Sequence, residues 1–177
     1  MIGPWDHAGT RTPQAQVGGL TFGAPSLVDL PQLHVDWYAW TMQGGPKPAF
    51  LQKRVAYYVM DADRWRYADT LEAVTKESRA YLLDSNANAA DVLASGSLGS
   101  AAAKGKPDQY VYDPRDLSVV AVDTSVDPQA LTDQRRIYAQ QGKQLVYHTA
   151  PFERDTELSG FFKLSAWLPV LDRKSVV

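Results

Sequence analysis

A histidine near the start of the chain is a residue type that can transfer protons, and its neighbours in the sequence leave its ring accessible. His7 follows Gly3 and Pro4, which favour a turn because glycine permits unusual backbone angles and proline fixes φ. The small residues Ala8 and Gly9 leave room for another group to approach the imidazole ring. Since imidazole takes up and returns a proton near neutral pH, His7 is a candidate general base. The alternative is a surface histidine in a turn, without a chemical role.

A helix is predicted to follow this loop along the chain. Residues 30–42 are predicted to be helical, because Asp29 can cap the first turn and Pro31 is tolerated there. Gly44, Gly45 and Pro46 end the pattern. Apolar residues recur at spacings of three and four, which is typical of a helix packed on a sheet: Leu30, Leu33, Trp37 and Trp40.

A strand buried on both faces is predicted over residues 53–60, where β-branched and aromatic residues stand at successive positions. Asp61 and Asp63 end it in a turn that we expect to be solvated. The two carboxylates could instead bind calcium, but no third acidic residue stands at a suitable spacing. Trp65 and Tyr67 follow and are expected to pack at a domain junction.

Composition indicates a globular piece that is able to bury a core. Of the 177 residues, 45% are hydrophobic and 21% charged, and no apolar run approaches the length of a membrane span. A formal net charge of -2 gives no electrostatic case for nucleic acid or an anionic membrane as partner. With no cysteine and three scattered histidines, neither a metal site nor a cofactor is predicted. The compartment, cytoplasmic or secreted, and the oligomeric state stay undetermined.

Three stretches resemble one enzyme family. These are Gly-Pro-Trp-Asp-His at residues 3–7, Arg-Val-Ala-Tyr-Tyr-Val-Met at residues 54–60, and Asp-Arg-Trp at residues 63–65. They resemble the X-Pro dipeptidyl peptidase and cocaine esterase group of serine hydrolases, from Ile2 to about Trp167. The resemblance implies that His7 is the triad histidine on the loop after the last strand of an α/β-hydrolase domain. It also implies a small ester, an amide or a short peptide as the substrate.

The resemblance implies catalytic partners that this sequence does not supply. In α/β-hydrolases the order along the chain is Ser, then Asp or Glu, then His, so both partners are expected upstream of Met1. No Gly-x-Ser-x-Gly elbow occurs; the nearest stretch, residues 95–100, has the wrong spacing and is predicted to be a flexible loop. Asp6 adjoins His7, but we do not expect it to be the acidic member of the triad, because neighbouring side chains on an extended backbone point apart. We therefore expect a C-terminal fragment that is inactive alone.

The resemblance implies two partial domains. Residues 1–76 are expected to form the tail of an α/β-hydrolase domain (loop, helix, strand), and residues 77–171 the first part of a jelly-roll β-sandwich. Residues 172–177 resemble a translated sequencing adapter and are expected to be a non-native tail. Short strands are predicted in the second part at residues 81–83, 110–112, 144–149 and 158–168.

Two classes of function stay open. In the first, the chain belongs to a serine hydrolase that cleaves esters or amides through an acyl-enzyme, with His7 as its base. In the second, it is a non-catalytic β-sandwich module that binds carbohydrate or protein through exposed aromatic residues. Five tryptophans and nine tyrosines permit the second class. The coding sequence upstream of Met1 would distinguish the two.

Overall fold

The computed structural model describes residues 1–5, 8–17, 19–101, 106–118, 120, 138 and 140–167. The elements that lie wholly within these ranges are one α-helix, three small sheets and three single 3-10 turns. None of the described helices has the length and apolarity of a membrane span. In chain order the elements are β1 (Gln16–Val17), β2 (Leu20–Thr21), α1 (Leu30–Gln43), β3 (Val55–Val59), β4 (Arg64–Ala68), β5 (Leu82–Asp84), β6 (Gly96–Gly99) and β7 (Tyr147–His148), with 3-10 turns at Ala8–Thr10, Ala24–Ser26 and Glu72–Val74.

The predicted helix is confirmed as α1. The Asp29 carboxylate caps it by accepting a hydrogen bond from the Gln32 amide at 3.0 Å. Gly44 ends it in the left-handed conformation, with φ at 69°, as the glycine pair predicted. The apolar stripe is only partly covered, because Leu30 is buried whereas the Trp37 side chain is 41% exposed. The helix is therefore packed at its first turn and open further along.

The predicted strand is confirmed as β3, which pairs antiparallel with β4. One face of this hairpin forms a buried cluster with Val74, and the other packs under Val17 and Phe22. Both faces of β3 are thus covered, as its continuous apolar run predicted. Asp61 and Asp63 take positive φ angles of 61° and 46° in the connecting turn, a conformation that aspartate tolerates better than most residues.

The second half of the described chain is built around β6, and here one prediction was wrong. The stretch at residues 95–100 was predicted to be a flexible loop, yet Gly96–Gly99 is the central strand between β5 and β7. Small residues allow β7 to approach β6 closely, because a Cβ at Gly96 would lie 2.3 Å from the Tyr147 ring. The small residues that predicted a loop are the same ones that allow this strand to pack closely against its neighbour.

Two further strand predictions in this half were wrong. Residues 110–112 and the described part of 158–168 have no regular structure, and the side chains of Tyr112 and Phe162 are 79% and 90% exposed. A stretch with high β-propensity forms a strand only where it can pair with a neighbouring strand, and neither stretch has such a neighbour among the described residues. The strand predicted at residues 144–149 is shortened to β7, whereas β5 matches the prediction at 81–83 to within one residue. The described chain is β-rich, with small separate sheets. Residues 172–177 lie outside the described ranges.

Candidate functional site

The residues that lead into the predicted base extend the β3–β4 sheet. Ile2 forms a parallel bridge with Tyr57. The Ile2 amide donates to the Ala56 carbonyl at 2.8 Å, and the Tyr58 amide donates to the Ile2 carbonyl at 3.0 Å. Asp6 and His7 lie outside the described residues, so only the residues near them in the sequence define the geometry of the candidate site. The chain thus belongs to the sheet at Ile2, five positions before His7.

Trp5 anchors this entry. Its indole NH donates to the Ser26 carbonyl at 2.9 Å, and its ring lies 5.8 Å from that of Trp65. The indole of Trp65 donates to the adjacent Pro25 carbonyl at 2.7 Å. Gly3 makes room for this arrangement, since a Cβ there would lie 2.3 Å from the Trp5 ring. The residue two positions before His7 is therefore fixed by a hydrogen bond and by ring packing.

An aromatic cluster supports that anchor. Trp65 packs edge-to-face on Phe50 at 5.0 Å and lies 5.4 Å from the Tyr58 ring, which in turn lies 6.2 Å from Phe22. Aromatic pairs of this kind contribute roughly 0.5–1.5 kcal/mol each beyond their buried area. Trp65 was expected to pack at a junction, and it joins the entry segment, the residues before α1 and the hairpin.

Asp63 ties the hairpin turn to the segment before α1, so the expectation of a merely solvated turn was wrong for this residue. Its carboxylate accepts a hydrogen bond from the Gly23 amide and another from the Tyr58 hydroxyl, each at 2.8 Å. The Gly23 amide first, and then the Tyr58 hydroxyl, hold the pKa of Asp63 below its usual value. Burial, followed by the hydrogen bond to Asp63 and its charge, raises the pKa of Tyr58 to about 12.

An open groove of about 530 Å³ lies along α1. Its floor is aromatic, with the Trp37 and Tyr38 side chains 41% and 54% exposed, and the Lys47 ammonium lies 5.7 Å from the centre of the Trp40 ring. If the chain is a binding module, the exposed rings of Trp37 and Tyr38 in this groove would be able to contact a ligand. The lining residues are Met1, Leu33, His34, Trp37, Tyr38, Trp40, Lys47, Leu51, Lys53 and Arg54.

A second polar centre, which the sequence did not reveal, organises the β5–β6–β7 sheet. The Asp108 carboxylate accepts hydrogen bonds from the Ser85 hydroxyl, the Ala89 amide and the Tyr147 hydroxyl. Burial alone would raise the pKa of Asp108, but these bonds lower it below its usual value. Burial, then the hydrogen bond to Asp108 and its charge, raises the pKa of Tyr147 to about 12.

One serine–histidine contact lies beside this centre. The Ser95 hydroxyl is 3.0 Å from Nδ1 of His148, and the same hydroxyl donates to the Gly96 carbonyl at 3.3 Å. No carboxylate contacts His148 within the described part of the chain, so the third member of a triad is missing there. His148 is exposed at the sheet surface. Across the described ranges, no group of three or more His, Asp or Glu side chains could hold a metal ion.

Comparison with protein families identifies the larger part of the chain. Residues 49–175 match the model of the X-Pro dipeptidyl-peptidase C-terminal non-catalytic domain. Neither the curated proteins nor the solved structures include a match to the chain. The matched segment contains β3 and all later strands, while His7 lies upstream of it. Because the match covers most of the sequence, the chain belongs to the family of X-Pro dipeptidyl-peptidase C-terminal domains, as its motifs predicted.

Proposed function

We propose that this chain is the C-terminal part of a serine hydrolase and that His7 is the general base of its triad. The observation that carries the proposal is the family match: a C-terminal non-catalytic domain of a peptidase accompanies a catalytic domain. The Gly-Pro-Trp-Asp-His motif lies before residue 49, outside the segment that the word non-catalytic describes. The serine and the acidic residue of the triad would then come from the catalytic domain.

The chemistry proposed for His7 is that of acyl transfer. Its imidazole takes the proton from the serine hydroxyl while the serine oxygen bonds to the substrate carbonyl carbon, and it then gives that proton to the leaving alcohol or amine. Water repeats the sequence on the acyl-enzyme and releases the acid. This role requires a histidine held in place. Trp5, with its bond to the Ser26 carbonyl and its contact with Trp65, would supply the rigid anchor two residues away.

We propose that the chain contributes to two domains. Residues 1–76 would complete an α/β-hydrolase domain, and residues 77–171 would begin a jelly-roll β-sandwich. The open face of α1 would then cover other parts of the hydrolase domain, consistent with a Trp37 side chain that is 41% exposed here. The family match begins at residue 49, upstream of the proposed boundary. Limited proteolysis of the whole hydrolase, with cleavage near residue 49 or near residue 77, would decide where the boundary lies.

The test is His7→Ala in the full-length hydrolase, with turnover of an aryl ester and of an X-Pro peptide as the readouts. We expect turnover to fall by several orders of magnitude, as it does when a triad histidine is removed. His148→Ala is the matched control, because this histidine is exposed and lies outside the motif. Turnover that survives His7→Ala, or that falls equally in the control, would rule out the assignment.

A second candidate function is favoured by the aromatic groove along α1. A non-catalytic module that binds carbohydrate would use exposed rings such as those of Trp37 and Tyr38, on which sugar rings can stack. Trp37→Ala would then abolish binding to a soluble oligosaccharide, while Trp167→Ala would not, although Trp167 is 99% exposed. If neither variant changes binding to a panel of oligosaccharides, the hydrolase assignment alone remains.

A further inference from the structure

The β3–β4 hairpin carries positive charge on the face opposite the Trp5 anchor. Arg66 stands opposite Tyr57 in the strand register, and Arg64 stands opposite Val59. Residues two apart share a face of a strand, so the two arginines project to the same side, and Trp65 projects to the other. Lys76 joins them after the 3-10 turn Glu72–Val74. The resulting cationic pocket has a volume of about 430 Å³ and is lined by Tyr57, Arg64, Arg66, Tyr67, Ala73 and Lys76.

The charges in the cationic pocket are only partly compensated. Arg66 pairs with the Glu157 carboxylate at 2.8 Å. Neither Arg64 nor Lys76 forms an ion pair with any carboxylate in the described ranges, and the Tyr57 hydroxyl has no hydrogen-bond partner there. Arg64 and Lys76 line the same open pocket, which also offers the Tyr57 phenol.

Glu157 shows which chemistry the cationic pocket accepts. Its side chain is 28% exposed where it meets Arg66, and it comes from a segment without regular secondary structure. Gly160, with φ at 117°, seats that segment against Thr75, since a Cβ there would overlap the Thr75 hydroxyl at 2.1 Å. One carboxylate of the chain is therefore already bound at the edge of the pocket. Arg64 and Lys76 offer places for two more negative charges.

We propose that the cationic pocket binds a ligand with two carboxylates, one on the Arg64 guanidinium and the other on the Lys76 ammonium. Guanidinium binds a carboxylate through two parallel hydrogen bonds, and ammonium binds it as a point charge, so the two contacts differ in geometry. Such a ligand is a small dicarboxylate or a pair of acidic side chains on a peptide. The cationic pocket lies on the hairpin face opposite Trp65 and does not rest on the hydrolase proposal.

The test measures binding to the full chain by isothermal titration calorimetry at low ionic strength. The probes are succinate and an acetylated, amidated Glu-Glu peptide, compared with acetate and inorganic phosphate. We expect saturable binding of at least one dicarboxylate probe, about tenfold tighter than acetate, since acetate leaves one cation unpaired. A preference for the peptide would indicate a protein source of the carboxylates, and a preference for succinate a small-molecule source. Both preferences support the site.

Variants separate this site from general attraction to positive charge. Arg64→Gln and Lys76→Gln should each weaken binding about tenfold, the loss of one charge-assisted contact. Arg115→Gln, which removes the same charge from an exposed position, should leave it unchanged. Glu157→Gln should strengthen binding, because it frees Arg66. Circular dichroism would verify that each variant is folded. If only one of Arg64→Gln and Lys76→Gln folds, that variant alone decides the test. Absence of saturable dicarboxylate binding, tighter binding of phosphate, or an equal loss in Arg115→Gln would each overturn the proposal.

Discussion

The indole rings of Trp5 and Trp65 lie 5.8 Å apart, and their NH groups donate to the carbonyls of two successive residues, Ser26 and Pro25. Sixty positions separate the two tryptophans in the sequence, yet both donate to the same 3-10 turn. Since that turn ends three positions before the Asp29 cap of α1, one pair of rings connects the segment that precedes His7, the start of the helix and the hairpin.

Replacing either tryptophan with phenylalanine keeps a ring and removes the hydrogen bond. We expect Trp5→Phe and Trp65→Phe each to lower the free energy of unfolding by about 0.5–1.5 kcal/mol, the net value of one such bond. Because the rings are in contact, the double variant should depart from additivity. Urea denaturation of the four proteins measures this coupling. Trp167→Phe, at a side chain that is 99% exposed, should have no effect, and an equal loss there would contradict the anchor.

Gly3 should be intolerant of a side chain. A Cβ at this position would lie 2.3 Å from the Trp5 ring, so Gly3→Ala must displace the ring or the chain. Overpacking of this kind costs about 1–3 kcal/mol, and near-ultraviolet circular dichroism should report the movement of the indole. Gly99→Ala is the matched control, since the nearest atom to its Cβ would lie at 4.0 Å. A silent Gly3→Ala would show that Trp5 does not hold the position described.

The Asp63 carboxylate should make stability depend on pH at both extremes. Hydrogen bonds lower the pKa of Asp63 in the folded state, so its contribution is present above its unfolded pKa of about 4 and is lost as pH falls through the folded value. The pKa of Tyr58 is raised to about 12, so its contribution is present below its unfolded pKa of about 10 and is lost as pH rises through about 12.

Asp63→Asn isolates that effect. The variant should lose less stability than the wild type between about pH 5 and pH 2, because the titrating group is absent. Its Tyr58 should also ionise at lower pH, since the neighbouring negative charge is gone. Denaturation midpoints across the pH range measure the first change, and phenolate absorbance measures the second. Identical acid profiles for the two proteins would contradict the bonding of Asp63 to Gly23 and Tyr58.

Local signals in the sequence predicted the elements whose boundaries are set locally. The Asp29 cap, the proline in the first turn and the glycine stop defined α1, since helix ends are satisfied by residues a few positions away. The strand β3 followed from a continuous apolar run. The family motifs predicted the family itself. His7 was singled out by the same motif, and its role as a base stays a prediction.

Contacts between distant residues were not predictable in the same way. The carboxylate of Asp63 meets the Gly23 amide across 40 positions, and Ser95 meets His148 across 53. No local pattern encodes either pairing, because each depends on the path of the chain between its members. The strand β6 was missed for a related reason. Its small residues resemble a loop until the Tyr147 ring that packs on Gly96 is known.

Asp108 ties the loop after β5 to β7. Asp108→Ala removes three hydrogen bonds at once and leaves the Tyr147 hydroxyl half-buried without its acceptor. We expect this variant to lose about 1–3 kcal/mol of stability, whereas Tyr147→Phe, which removes one donor, should lose about 0.5–1.5 kcal/mol. Asp155→Ala is the control, because it removes the same charge from an exposed residue. Hydrogen exchange at the Gly96 amide, which donates to the Val146 carbonyl at 2.7 Å, should accelerate in the two site variants and not in the control. Unchanged exchange in Asp108→Ala would show that the strands β5, β6 and β7 hold together without this carboxylate.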